Sequence, residues 1–342
     1  MATTVRPMLR NTPAGLWMRA NMGWLMAARQ LMKSPYALLP LQAALIFKPL
    51  HGSARAAGTV EETELPRWKA SDASPAEFQR WARENGPVVL EGFAKDSAAC
   101  RTWTIEYLRD NYGDVELLIT DPDQSVHPGP FRNFLEDILA EKKTGQYVQN
   151  TADIFNQRPE LEADLPIAEL KTLVGDLATH CGSQLFVGGR NTGTSYHCAS
   201  NFNCFVMVHG QKEWRFVDPR YSAWMYPFMP PSGLFAFSPV PPFEPSDRFP
   251  LASRIPKLRT VLEPGDMLLN PPWWWHAVKN ITPSTIAVAT RWVTTLTGNR
   301  YFDMLSAMSK EARERNRLLG KGERLTDATN LAIFHLDKLG KG

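Results

Sequence analysis

From Gln184 to Val293 the chain breaks into eight short β-rich runs: QLFVGG, TSYHCA, FNCFVMVHG, KEWRFVD, GLFAFS, RTVLEPGDMLLN, WHAVKN and STIAVATRWV. Gly, Pro and Asn punctuate them, a texture that restricts this region to a sandwich or a small barrel. Two histidines stand far apart within it. His197 lies where a polar turn gives way to an apolar run, and His276 follows three tryptophans in LEPGDMLLNPPWWWHAVKN. Imidazoles on separate strands of one barrel are the raw material of a metal site, because neutral imidazole ligates Fe, Zn, Cu or Ni.

Two histidines and a carboxylate on one face form the ligand set of non-haem Fe(II) oxygenases. A His-x-Asp pair serves this purpose because alternate residues of a strand point the same way. Here His197 is followed by Cys198 and Ala199, so a methyl group stands at the carboxylate position.

The four cysteines (Cys100, Cys181, Cys198, Cys204) form no CxxC pair. They read as free thiols in a reducing, cytoplasmic setting, with Cys198 and Cys204 as small core residues rather than zinc ligands. A net charge of +3 gives no reason to expect nucleic acid as a partner. The charge is unevenly placed: Met1 to Val60 contains no Asp or Glu, while Arg6, Arg10, Arg19, Arg29, Lys33, Lys48 and Arg55 are basic. Within it, LWMRANMGWLMAARQLMK gathers Arg19, Arg29, Gln30 and Lys33 on one helical face opposite Trp17, Trp24, Leu25 and Leu31. Three readings stand for residues 1–55: an arm packed on the protein's own core or a second subunit, a helix at a membrane surface through residues 14–50, and an organelle-targeting segment.

His51 to Arg67 reads as a linker. Ser74 with Glu77 is a capping box opening a helix, Pro87–Leu90 a buried strand, Ala98–Tyr112 a helix, Val115–Thr120 a strand and Phe131–Lys143 a helix. Pro230–Leu251 reads as a loop covering one mouth of the barrel. Tyr301–Leu319 and Asp327–Leu339 read as helices that cap the barrel or make a homodimer.

The region Gln184–Val293 resembles the JmjC/cupin-like family of Fe(II)- and 2-oxoglutarate-dependent oxygenases. The resemblance rests on Thr194 three residues before His197, the Gly210-Gln-Lys212-Glu-Trp214 strand, the Pro264-Gly265-Asp266 turn, Pro272, and Trp275-His276. It implies a mainly β protein with a double-stranded β-helix (cupin/jelly-roll) core at 184–298. A mixed α/β part at 56–183 would precede it, and helical additions would lie at both ends, the last at 299–342. It further implies Fe(II) held by His197 and His276, and 2-oxoglutarate contacted by Thr194, Asn203, Lys212, Thr290 and, from upstream, Tyr147. Lys212 would pair with the far carboxylate of the co-substrate.

Ala199 departs from the pattern, and three explanations are open. In 2-oxoglutarate-dependent halogenases an Ala or Gly at this position lets chloride or another halide bind the iron, and halogenation (chlorination) of an unactivated carbon is the leading expectation. Alternatively, two histidines and water hold iron for hydroxylation, or the domain is a non-catalytic binding module. A buried lysine without a carboxylate partner speaks against the last. Arg291, in an otherwise apolar strand, fits either the pocket or the outer barrel face. His209 reads as a hydrogen-bonded core histidine, and Trp273 and Trp274 as packing residues. The acid-free arm and the aromatic 230–251 stretch point to a lipid-like or hydrophobic small-molecule substrate, with a carrier-tethered acyl group or a protein side chain as alternatives.

Overall fold

The computed structural model describes residue 60 and residues 62–327, apart from 231, 245 and 297. The expected N-terminal amphipathic arm and the helix after Asp327 lie outside the described residues. Fifteen strands are described: β1 Glu62–Glu64, β2 Arg67–Lys69, β3 Val88–Glu91, β4 Glu116–Thr120, β5 Val126–Pro130, β6 Tyr147–Thr151, β7 Ala178–Gly189, β8 Gly193–Ala199, β9 Phe202–His209, β10 Lys212–Val217, β11 Phe235–Phe237, β12 Lys257–Leu262, β13 Met267–Asn270, β14 Trp275–Asn280 and β15 Ser284–Thr294. They form a six-stranded sheet, β1-β12-β10-β14-β8-β11, and a nine-stranded sheet, β2-β3-β13-β9-β15-β7-β6-β4-β5.

Strand periodicity assigns the layers. In β9, Phe202, Cys204, Val206 and Val208 join a core with the helices, whereas Phe205 and Met207 share a second core with Trp214, Phe216 and Val278 of the smaller sheet. The large sheet is thus buried on both faces, which explains why its strands read as nearly continuous apolar runs. On β15, Ile286, Val288 and Trp292 pack outward while Ala287 and Ala289 face the interior. Those two methyls leave room inside the barrel. The alternation in KEWRF does the opposite on β10: Trp214 and Phe216 lie in the interior core, Lys212 is wholly buried with them, and Glu213 and Arg215 are only partly buried.

The segment before residue 184 does more than pack on the barrel, since β2 to β6 are hydrogen-bonded members of its larger sheet. The expected linker is likewise partly strand. β1 runs parallel to β12, and Arg67 of β2 reaches Glu91 at 2.6 Å and Asp266 at 2.7 Å. The Ser74 capping box holds, with Ser74 Oγ donating to Glu77 at 2.7 Å and accepting from the Glu77 amide at 3.3 Å. The single helix expected over 98–112 is two, Ala98–Thr102 and Ile105–Tyr112, because Trp103 is extended and the Thr104 side chain caps the second. Similarly, Ser309 divides the C-terminal helix into Arg300–Met308 and Lys310–Gly320. Both pieces pack back on the barrel through Phe302, Leu305, Ala312 and Leu319. No helix among the described residues is long and apolar enough to cross a membrane.

One glycine is fixed by close approach. A Cβ at Gly193 would stand 2.0 Å from the Val278 carbonyl oxygen across the β8–β14 pairing. Gly193→Ala is expected to push β8 off β14 and cost about 1–3 kcal/mol, as overpacking does. Denaturant unfolding would measure it, and an unchanged midpoint would contradict the assigned pairing.

Candidate metal centre

His197 on β8 and His276 on β14 face each other directly in antiparallel register. Their ring centroids are 4.2 Å apart with planes at 54°. Each Nδ1 lies 2.9 Å from the carbonyl oxygen two residues earlier, that of Ser195 and that of Trp274. A carbonyl only accepts, so each Nδ1 carries the proton and donates it. Each Nε2 therefore keeps its lone pair, the tautomer a metal-bound histidine needs. The Asn270 amide nitrogen grazes the His276 ring at 3.2 and 3.4 Å. Burial first of all holds His197 down to about 4 against the opposing Ser195 hydrogen bond, and Arg291 adds a smaller push. Burial, then the neighbouring His197, holds His276 well below the ordinary imidazole value. Both rings are neutral at physiological pH.

A spacing of three would send Thr194 and His197 to opposite faces of a regular strand. The pairing shifts between His276 and Val278, so that His197 opposes His276 and Thr194 opposes Val278. Three residues of β8 thus span two of β14, and this bulge lets both β8 side chains face inward.

Lys212 is fully buried, and its Nζ donates to the Tyr147 hydroxyl at 2.7 Å. It lies 5.2, 5.7 and 5.4 Å from the ring centres of Tyr147, Phe186 and Phe205. The described residues place no carboxylate beside it, and burial alone brings it down to about 7. Thr194 Oγ1, Asn203 Oδ1 and Trp214 Nε1, on the strands that carry or adjoin the lysine and the histidines, are buried without a hydrogen-bond partner. Each orphaned group costs about 1–3 kcal/mol unless something polar meets it. A cation, a hydroxyl and an amide together with two histidines whose Nδ1 atoms are tied to carbonyls fit a metal chelated by a dicarboxylate, with one carboxylate at Lys212.

Ala199 follows His197 on the same face of β8 and packs with Leu234, Phe235 and Ala312. Among the described residues no third His, Cys, Asp or Glu joins the histidine pair. Thr290, expected to line the pocket, faces the other way: its hydroxyl donates to the Cys204 carbonyl at 2.8 Å and accepts from Trp292 Nε1 at 3.0 Å. Strand parity puts Arg291 inward instead, beside Gln184 and Asn150. The pocket-facing residue of this strand is therefore one later than expected. Trp273 packs as expected, against Phe302, with its Nε1 bound to Asp303 at 2.6 Å. His209 is partly buried at the end of β9, 3.1 Å from Ser284 Oγ.

Sequence reasoning read GLFAFS as a β-rich run but did not place Phe235 and Phe237 at the site. The expected 230–251 loop contributes β11, paired with β8 so that Phe237 opposes His197, and both rings lie 6.3 Å from the imidazole. The alternation in LFAFS was the available signal. Asn270 and Arg315 were missed as well, and no motif marks either.

A cupin-like domain model matches residues 74–304, more than half of the chain. The chain belongs to the cupin-like family. This cupin-like protein is similar to lysine-specific demethylase 8 of Xenopus tropicalis, at 26% identity over 200 residues covering 56% of this chain and 45% of the relative. It is also similar to HSPB1-associated protein 1 of Homo sapiens, at 26% over 185 residues (51% and 35%). A third relative is tRNA wybutosine-synthesizing protein 4 of Aspergillus oryzae, at 25% over 247 residues (66% and 23%). The chain thus spans less than half the length of these relatives. The family match begins well before residue 184, in keeping with the early strands that complete the larger sheet.

Proposed function

We propose that this cupin-like protein is an Fe(II)- and 2-oxoglutarate-dependent oxygenase that hydroxylates a C–H bond of its substrate. The observation that carries this reading is the buried Lys212 ammonium, which has only a phenol for a hydrogen-bond partner, on a strand paired with the one that carries His276 opposite His197. His197 and His276 would hold the iron, and Lys212, Tyr147 and Thr194 would bind and orient the co-substrate. When bound, iron with 2-oxoglutarate and dioxygen supplies an oxidant strong enough to take hydrogen from carbon, chemistry that no side chain provides. The residues position the reactants. The Ser195 and Trp274 carbonyls fix the imidazole tautomers, and Trp214, stacked 5.6 Å from His276, helps to keep water from the ring.

Halogenation is the second reading, and one observation favours it: a methyl at 199 opens a ligand position to an anion from solution. Anaerobic titration with Fe(II) and 2-oxoglutarate is expected to develop the visible charge-transfer band of the chelate, and His197→Ala is expected to abolish it. No band in the wild type removes the enzyme reading. With the band present, a shift on adding chloride supports the halogenase reading, and indifference to chloride supports hydroxylation.

A further inference from the structure

The smaller sheet carries one row of side chains that runs straight across its strands and through the histidine pair. Phe216 opposes His276, His276 opposes His197, His197 opposes Phe237, and Phe237 opposes Phe228 in a single bridge beyond β11. Directly opposed residues of paired strands share a face and meet. Ring centroids are 6.1 Å apart from Phe216 to His276, 4.2 Å between the histidines, 6.3 Å from His197 to Phe237 and 5.5 Å from Phe237 to Phe228. The row is closed at one end only. Phe216 is 0% exposed and His276 6%, whereas His197, Phe237 and Phe228 are partly exposed. The approach to the histidines from outside therefore runs along Phe228 and Phe237.

This end lies away from the co-substrate's. In the strand order β10-β14-β8-β11, the strand of Lys212 is on one side of the two histidine strands and that of Phe237 on the other. Lys212 also stands four residues along β10 from Phe216, roughly 13 Å at a rise of about 3.3 Å per residue. A dicarboxylate anchored there runs along the strands on the β10 side. Phe237 and Phe228 instead lie one and two strands to the other side of His197, at roughly 4.8 Å per strand. Asn203 and Arg291 belong to the larger sheet that faces this one. Neither phenyl ring carries a donor or a charge, so a carboxylate gains nothing beside them. A further aromatic ring does gain, by offset stacking or edge to face, and either arrangement is worth more than the area it buries.

We infer that Phe237 and Phe228 seat an aromatic ring of the substrate, so that the substrate is an aryl compound whose ring lies on the open side of His197. The inference rests on the oxygenase reading for the reaction and names a substrate class for it, while the seat itself consists of protein groups that do not require iron. Calorimetry on the full-length protein tests it, metal-free and again with Fe(II) and 2-oxoglutarate in the absence of oxygen. The probes are 2-naphthylmethanol and its saturated counterpart, decahydro-2-naphthylmethanol. They share a carbon skeleton and a hydroxyl, and the saturated one has the larger apolar surface, so burial alone favours it. The naphthyl probe is nevertheless expected to bind at least about fivefold more tightly in both states, the scale of an aromatic pair beyond its area. Phe237→Ala is expected to weaken it about tenfold or more. Should that variant fail to fold, Phe237→Leu keeps the apolar bulk and is expected to bring the two probes to equal affinity. Lys212→Met, which removes the anchor of the co-substrate, is expected to leave naphthyl binding unchanged, and this separates the seat from the co-substrate's own subsite. Equal or tighter binding of the saturated probe, indifference to the Phe237 variants, loss of binding in Lys212→Met, or displacement of the naphthyl probe by 2-oxoglutarate would each overturn the seat. The wild-type Fe(II) and 2-oxoglutarate titration, run without any probe, reports separately on the oxygenase reading. An absent band with intact naphthyl binding would defeat that reading and spare the seat, and a band without naphthyl binding would do the converse.

Discussion

Lys212→Met is expected to make the ligand-free protein more stable and to destroy its response to 2-oxoglutarate. Ordinarily a buried residue replaced by a near-isostere costs stability or changes little. Lys212 differs because it is fully buried, with a phenol at 2.7 Å and three aromatic rings as its whole polar and electrostatic support. Replacing buried charges with apolar groups of similar volume is neutral or gains about 1–4 kcal/mol, and the gain should read as a rise of a few degrees in Tm. The pH dependence gives the sign independently. The folded value, about 7, lies below the ordinary 10.5, so between them the unfolded chain binds a proton that the folded one has released. The contribution of this group to stability therefore rises with pH from about 7 to about 10.5, and below 7 the penalty is at its full size. The Met variant should lose that slope. Saturating co-substrate should stabilise the wild type by about 2.7 kcal/mol at a hundred times its Kd, and leave the variant unmoved. A less stable variant, or one that keeps its 2-oxoglutarate shift, would mean that Lys212 has a structural partner.

The legible parts of this protein were those set by local rules. The resemblance named Lys212, His276 and Asn203, and strand alternation explains why such residues share a face with Trp214, because a period of two leaves each residue only two faces to occupy. The same rule needed help at Thr194, where a bulge changes the count, and it corrects the resemblance at Thr290. The resemblance implies Thr290 as a pocket residue, yet the register with β7 and β9 turns Arg291 inward instead. Nothing local announces Arg315. Its role depends on a helix folding back more than a hundred residues after β8, to bring Ala312 onto Ala199 and Arg315 onto Asn201. The linker before residue 67 looked unstructured because β1 and β2 are three-residue edge strands, too short for periodicity to register. Their stability comes from pairing with β12 and β3 and from the Arg67–Asp266 contact.

Ala199→Asp should behave in the opposite sense to Lys212→Met, losing stability without metal and gaining more from it. The new carboxylate would enter a nest of Leu234, Phe235 and Ala312 with Phe237 beside them, and none of these side chains donates a hydrogen bond. Arg315, a turn beyond Ala312, already gives one donor to Asn201 at 3.0 Å and has only its remaining donors to offset the burial in part. An ionised carboxylate in such a place costs several kcal/mol or takes up a proton, so the metal-free variant should unfold at a clearly lower temperature than the wild type. Because residue 199 shares a face with His197, the same carboxylate would complete a two-histidine, one-carboxylate set. Fe(II) should then raise the variant's Tm by more than it raises that of the wild type, since binding to the folded state alone adds directly to stability. Any chloride dependence of the wild-type chelate band should vanish, because the position a halide would take is filled. Thermal unfolding with and without Fe(II) measures the first two, and the visible spectrum of the chelate in chloride-free and chloride-containing buffer measures the third. An Asp variant as stable as the wild type and no more responsive to iron would show that position 199 does not look toward the metal, and the halide reading would end there.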